Sequence, residues 1–333
     1  MGVETDIYDF RYPVLSENAD DNTVVLWIDA LGIEWMTLLK WAIETSCAGK
    51  VESIKVTQAQ LPSETRYNEQ WKSMVLPYQK LDRLDKLAHR GVIDDKDYYA
   101  CIEEEFRFIT EVGAKVDKLL KQYPRVLITG DHGTSRLAAR YFHKIKGISA
   151  PAKSEVGSHG RFCKVDGHTQ ALNTQKVVND SDGNKYLVFT NYDHYTKSGF
   201  AAGSDDDNPV YGEIHGGATP EEMLVPVITV NSLYEIPLTA KWSMTNNTVK
   251  ISNKRAKCRI SFSKPVSSVL AKMEDIDGEC TSTITPSKDW TITFSGMKLN
   301  KEKEFNVSVI ADGVIVNTEK IIVKPALGGG DPF

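Results

Sequence analysis

Two uninterrupted apolar runs, each stopping at an aspartate, constrain this chain most. Val24-Val25-Leu26-Trp27-Ile28 stops at Asp29, and Val126-Leu127-Ile128 runs through Thr129-Gly130 to Asp131-His132-Gly133. A run without polar alternation reads as a strand buried on both faces. After the first run, Trp35, Leu38, Leu39, Ala42 and Ile43 recur at the spacing of one helical face. Ahead of the second, Ile102, Phe106, Ile109, Val112, Val116, Leu119 and Leu120 outline a long amphipathic helix. Strands alternating with helices predict an α/β fold with a mostly parallel sheet flanked by helices. Residues 51–56, 186–189 and 225–230 read as further strands. In open α/β sheets the chemistry gathers beyond the carboxyl ends of the strands, so Asp29, Asp131 and His132 are expected in a cleft.

The pattern changes near residue 236. Period-two alternation takes over in Cys258/Ile260/Phe262, Trp290/Ile292/Phe294 and Phe305/Val307/Val309, and Asp277-Gly278 and Asp312-Gly313 are hairpin signals. About seven short strands in this segment predict an all-β immunoglobulin-like sandwich. The expected division is a 1–22 arm or the start of a cut from a longer protein, with no helix or strand of its own; an α/β domain over 23–235; a sandwich over 236–325; and a flexible tail over 326–333.

Net charge is −5, so no bulk basic field favours nucleic acid. Five cysteines lie scattered without Cys-x-x-Cys spacing, which reads as reduced thiols in a cytoplasmic protein. There is no signal peptide and no apolar run of membrane-spanning length, so no membrane partner is expected.

Asp oxygen beside His nitrogen is a donor set that suits zinc, manganese or a similar divalent ion. The same residues also fit blander roles: Asp131 a capping turn, Asp29 a helix N-cap. Thr65, in Leu61-Pro62-Ser63-Glu64-Thr65, reads either as a cap or as a hydroxyl at a helix N-terminus, where the dipole and free N–H groups favour phosphate and a metal would make it a nucleophile. Asp94 and Asp97 precede the long helix and fit its acidic first turn. The Gly157–Phe162 segment carries His159 and Arg161. It reads as a surface turn or as a substrate-binding loop in which Arg161 clamps phosphate in a bidentate way. His215 stands before Gly216-Gly217 and a Thr219-capped turn, positioned for close approach.

In chain order, Leu26-Trp27-Ile28-Asp29-Ala30-Leu31-Gly32, Leu61–Thr65, His89-Arg90-Gly91-Val92-Ile93-Asp94, Ile128–Gly133 and His215–Val227 resemble the PglZ family of BREX phage-defence systems, in the alkaline phosphatase superfamily. The resemblance covers about residues 20–233. It implies an alkaline-phosphatase-like domain and a divalent-metal site of one or two ions, zinc foremost, with manganese or magnesium as alternatives. It implies Asp29, Asp94, Asp131, His132 and His215 as ligands and Thr65 as catalytic nucleophile. The superfamily's Asp-x-x-x-His pair would put a histidine at position 98, where Tyr98 stands; Asp97 or His89 would then supply the missing ligand. The expected function is a phosphatase or phosphodiesterase, a hydrolase acting on a phosphate-bearing substrate such as a nucleotide or nucleic acid, with other BREX components as partners. The alternative is a catalytically weak module that binds a ligand or partner within the defence complex.

Overall fold

A computed structural model describes residues 7–20, 22–74, 76–196, 210–235 and 237–325. The expected tail over 326–333 lies outside them. The chain divides into two compact units, Met1–Tyr234 and Glu235–Phe333.

In the first unit, a five-stranded sheet runs in the spatial order Gly49–Gln58, Leu224–Ser232, Arg125–Gly130, Thr23–Ile28, Tyr78–Leu81. Both apolar runs are buried on two faces. Leu26, Ile28, Val126 and Ile128 pack under helices Met36–Ser46 and Asp95–Leu120 through Leu39, Ile43, Ile109 and Val116. Val25, Trp27 and Leu127 point the other way, against Val14, Leu15 and Trp71. Burial on both faces is why neither run alternates.

The expected fold class does not hold. Thr23–Ile28 is parallel to both of its neighbours, but Leu224–Ser232 is antiparallel to both of its own. The sheet is therefore evenly mixed. A second, four-stranded sheet built from Glu155–Val156, Phe162–Val165, Lys185–Phe189 and Gln175–Asn179 is antiparallel throughout. With 39% strand against 25% helix, the chain is mostly β, not an alkaline-phosphatase-like, mostly parallel α/β fold. The physical reason is that a double-faced apolar run records burial and carries no mark of strand direction.

The second unit is not a two-sheet sandwich either. Strands Arg255–Val266, Thr248–Ser252, Val314–Lys324, Lys303–Ala311, Val269–Met273, Ile276–Thr281 and Ser287–Ser295 pair in sequence, and the last pairs back with the first, closing a seven-strand barrel. Ile260, Met273, Ile292, Phe294, Val307 and Ile321 fill it. Closure removes the strand edges that a sandwich must protect. Barrel and sandwich both bury every second residue, so alternation cannot separate them.

The N-terminal segment does have an element. Helix Arg11–Asn18 buries Val14, Leu15 and Arg11. The Arg11 guanidinium donates to the carbonyls of Gly130 (2.8 Å) and Asp131 (2.6 Å), and so braces the strand end that carries Asp131. No helix among the described residues is long and apolar enough to cross a membrane.

On helix Asp95–Leu120, Glu105 is 1% exposed and its Oε1 has no hydrogen-bond partner. Burial, then the charges of Glu213 and Glu34, push its carboxyl from 4.5 to about 9. The folded state therefore holds a proton that the unfolded chain releases near pH 4.5. Between those two values the unfolded state binds fewer protons, so stability falls as pH rises, by up to about 1.4 kcal/mol per pH unit. Glu105→Gln is expected to flatten that slope. Melting curves from pH 5 to 9 for both proteins should coincide best at the acid end and separate, with the variant higher, toward the alkaline end. Parallel curves would refute the assignment.

Candidate metal centre

Ile28 pairs directly with Gly130, so the next residues, Asp29 and Asp131, leave adjacent parallel strands at one level. Past Asp29 the chain turns through Ala30 at φ 65°, a left-handed conformation that costs a non-glycine residue roughly 1–3 kcal/mol. The turn aims the Ala30 N–H at Asp131 Oδ1, 3.1 Å away. The glycines of the motif are set by close approach. A Cβ at Gly130 would collide with the Leu31 carbonyl oxygen, and one at Gly133 with that of Glu221.

Asp131 is fully buried. Its Oδ1 accepts from the N–H groups of Ala30 and His132, while its Oδ2 has no hydrogen-bond partner and lies 3.7 Å from His132 Nε2. Asp29 Oδ1 is 3.6 Å from the same nitrogen, and Asp29 Oδ2 is paired with Lys80 Nζ at 2.6 Å. Burial, then the charge of Asp131, push Asp29 up to about 6. Thr65 Oγ1 completes the group, 3.2 Å from His132 Nε2 and donating to Asp29 Oδ1 at 3.4 Å.

Beside this group stands a second one, in which the expected His215 and His89 meet Asp85, a residue the sequence reading did not single out. Asp85, near the end of helix Arg83–Ala88, and His89 just past it are four residues apart and so share a face. Asp85 Oδ1 lies 3.2 Å from His89 Nε2, without hydrogen-bond alignment, and 3.6 Å from His215 Nε2. This is an Asp-x-x-x-His pair in the sequence. It lies nine residues ahead of Asp94, the position at which the resemblance places the pair. Lys80 also escaped notice, since its strand, Tyr78–Leu81, is largely exposed and offers no apolar pattern.

The histidines share one arrangement. The Nδ1–H of His132 donates to the Gly133 carbonyl (3.2 Å), that of His89 to Glu213 (3.0 Å), that of His215 to Ser63 (3.1 Å) and that of His159 to His215 (3.3 Å). A carbonyl only accepts, so each Nδ1 carries the hydrogen and each Nε2 keeps its lone pair when the ring is neutral. Burial, then the other histidines, lower His215 well below its usual value, and burial, then His89, lower His159 to about 4. Burial also works to lower His89, but the adjacent Asp85 carboxylate outweighs it and raises that ring. Burial works to raise Asp85, and the adjacent His89, with the charges of His132 and His159, holds it low.

The structure thus brings together the expected Asp29, Thr65, Asp131, His132, His215, His89 and His159, with Asp85 added. Within this set, Asp29–Asp131–His132, Asp85–His132–His215 and His89–His159–His215 each place their ligand atoms within 4.8 Å of one another. It does not bring in Asp94 or Asp97. Asp94 is the exposed N-cap of the long helix, accepting from the N–H groups of Lys96 and Asp97, and Asp97 accepts from the Ile93 N–H. The Tyr98 hydroxyl donates to Glu213 Oε1 at 2.6 Å, and Thr134 binds the other oxygen of that carboxylate. Tyr98 therefore steadies the carboxylate of the residue whose carbonyl orients His89; it does not stand in for a ligand.

Two further expectations change. Arg161 is fully buried, and its Nε and Nη2 grip Glu222 at 2.8 and 2.7 Å. Its remaining donors hold the carbonyls of Asn191 and Asp193. All three nitrogens are spent inside the protein, so Arg161 does not clamp a substrate phosphate. Thr65 opens a 3₁₀ turn of three residues, Thr65–Tyr67, too short for an aligned dipole to receive phosphate.

The fit of this centre to a divalent ion can be judged from its own atoms. Lone pairs on Nε2 and on carboxylate oxygens face each other, and Asp131 Oδ2 is buried with no donor. Such an arrangement is costly unless a cation lies between the donors. Nitrogen and carboxylate donors of this kind suit zinc, manganese or magnesium.

No family model matches the chain, and no curated protein matches it. Two solved structures are similar to parts of it. One is the crystal structure of Dpr2 Ig1-Ig2 in complex with DIP-Theta Ig1-Ig3, at 9% identity over 46% of this chain and 73% of that one. The other is surface layer protein SbsC, domains 4–9, at 14% identity over 47% of this chain and 30% of that one. Both have a TM-score of 0.22, which carries no argument about fold or function.

Proposed function

We propose that the chain is a divalent-metal-dependent phosphoester hydrolase, a phosphatase or phosphodiesterase, with Thr65 as nucleophile. The observation that carries this is the set of four imidazoles, each pinned through Nδ1–H to a backbone carbonyl. Three of them turn Nε2 toward the buried carboxylates of Asp29 and Asp131 and the half-buried one of Asp85. Backbone partners of this kind fix tautomer and ring orientation for metal binding. Asp29, Asp131 and His132 would hold an ion beside the Thr65 hydroxyl. An ion held there supplies positive charge to a phosphoryl group and lowers the pKa of the neighbouring hydroxyl. Thr65 Oγ1, held between Asp29 Oδ1 and His132 Nε2, is positioned to attack. Lys80 offsets the negative charge of Asp29.

The phosphoester class, the BREX setting and its partners rest on the sequence motifs, and the cytoplasmic location rests on five unpaired cysteines. The engagement of Arg161 with Glu222 favours the second reading, ligand binding without turnover, because it removes the expected phosphate clamp.

Chelated protein is expected to hydrolyse neither a chromogenic phosphodiester nor a monoester, and to recover on metal addition. Asp131→Ala should lose about one equivalent of metal by elemental analysis while its circular dichroism spectrum is kept. Full metal content in that variant would remove the basis of the proposal, and metal binding without turnover of either ester would leave the binding reading.

A further inference from the structure

A cavity of about 370 Å³ in the first unit has none of the proposed metal ligands on its wall. Three acids, Glu34, Glu213 and Glu221, share that wall with the apolar bodies of Trp35, Ile102 and Phe106. A fourth, Glu105, adjoins it. Glu105 shares a face of helix Asp95–Leu120 with Tyr98 and Ile102, which both line the cavity. Burial, and then the charges of Glu213 and Glu34 from the wall, raise its carboxyl. Two carboxyl oxygens here have no partner. Glu105 is 1% exposed and its Oε1 makes no hydrogen bond, protonated or not. Glu221 accepts from the Tyr192 hydroxyl through Oε1 at 2.7 Å, but its Oε2 is buried and unmet. Arg136 also lies on the wall, yet its guanidinium donates to the Gly212 carbonyl at 2.8 Å and stacks over the Tyr98 ring at 4.1 Å. Leaving buried acceptors unmet is costly, so the cavity calls for a donor that carries positive charge.

We propose that this cavity binds a small organic cation with a primary ammonium head and a short alkyl chain. A bare metal ion fits it less well. Among the described residues, groups of three ligand atoms within 4.8 Å of one another lie in the metal centre only, so these acids stand too far apart to share one small ion. An ammonium carries three N–H donors and can serve acceptors on different sides of a cavity. Its charge also suits the faces of Trp35, Tyr98 and Phe106, and its chain would cover the apolar wall. A quaternary ammonium has the charge but no N–H, and would leave both oxygens unmet. The volume falls within the roughly 300–1,000 Å³ of small-molecule sites.

The test titrates n-butylamine into the full chain by calorimetry, after chelation so that no bound metal takes the amine. One equivalent is expected to bind, and the melting midpoint is expected to rise with amine concentration. Tetramethylammonium has the charge without a donor, and n-butanol has the chain without the charge. Each should bind at least roughly tenfold more weakly than n-butylamine. Glu221→Gln and Glu105→Gln should each lower the affinity for n-butylamine by roughly 10–100-fold, the cost of one charge-assisted hydrogen bond. The comparison of ligands on the unaltered protein needs no variant to fold. No binding of n-butylamine, tetramethylammonium bound as tightly as n-butylamine, or unchanged affinity in either glutamine variant would overturn the inference. None of these results touches the hydrolase reading, since the protein under test carries no metal.

Discussion

Thr65→Ala is expected to keep its fold and most of its metal and to lose at least roughly 10²-fold in turnover, the scale seen when a positioned catalytic group is removed. The neighbours of Thr65 Oγ1 argue for this. A capping hydroxyl would accept from a backbone N–H of its own turn, but no side-chain cap bond closes the turn Thr65–Tyr67. Oγ1 instead faces His132 Nε2 and Asp29 Oδ1, from segments 67 and 36 residues away. Thr65→Ser keeps the hydroxyl and should retain more activity than the alanine variant. A cap would predict the opposite pattern, about 1 kcal/mol of lost stability with near-normal turnover. Steady-state rates beside melting curves separate the two, and full activity in the alanine variant would give the attack to water.

The sequence made part of this centre legible and hid the rest for definite reasons. Asp29 and Asp131 stood out because apolar runs end at them, and strand pairing sets the two side by side. His215 stood out by its glycines, and in the structure a Cβ at Gly217 would press on the Arg161 and Glu222 side chains. Asp85 was hidden by its setting. It lies among Asp82, Arg83 and Lys86, on a helix that reads as a solvated face, and only the neighbouring histidines reveal its inward turn. Asp94 misled because a cap and a ligand are the same residue type after a strand. Strand direction and barrel closure were not legible, since both depend on partners distant in sequence, such as Leu224–Ser232 against Gly49–Gln58. Arg161 was legible as an unusual arginine, but its partner lies 61 residues on.

That partner sets the largest stability effect expected. Arg161 and Glu222 are both fully buried and joined by two hydrogen bonds of 2.8 and 2.7 Å. Burial works to raise Glu222, but the charge and bonds of Arg161 keep it below its usual value. Arg161→Ala would leave that carboxylate buried without its counter-charge, at a cost of about 3–5 kcal/mol. Glu222 also accepts from the Gly217 N–H and the Thr219 hydroxyl, so the loss reaches the loop that follows His215. Replacing both partners, as Arg161→Met with Glu222→Leu, removes the uncompensated charge and should recover part of the loss, less the bonds to Gly217 and Thr219. A substrate clamp would behave differently, with unchanged stability and a raised KM in Arg161→Ala. Denaturant midpoints for the single and double variants, read beside KM, decide between them: an unchanged midpoint in Arg161→Ala would return this arginine to the substrate.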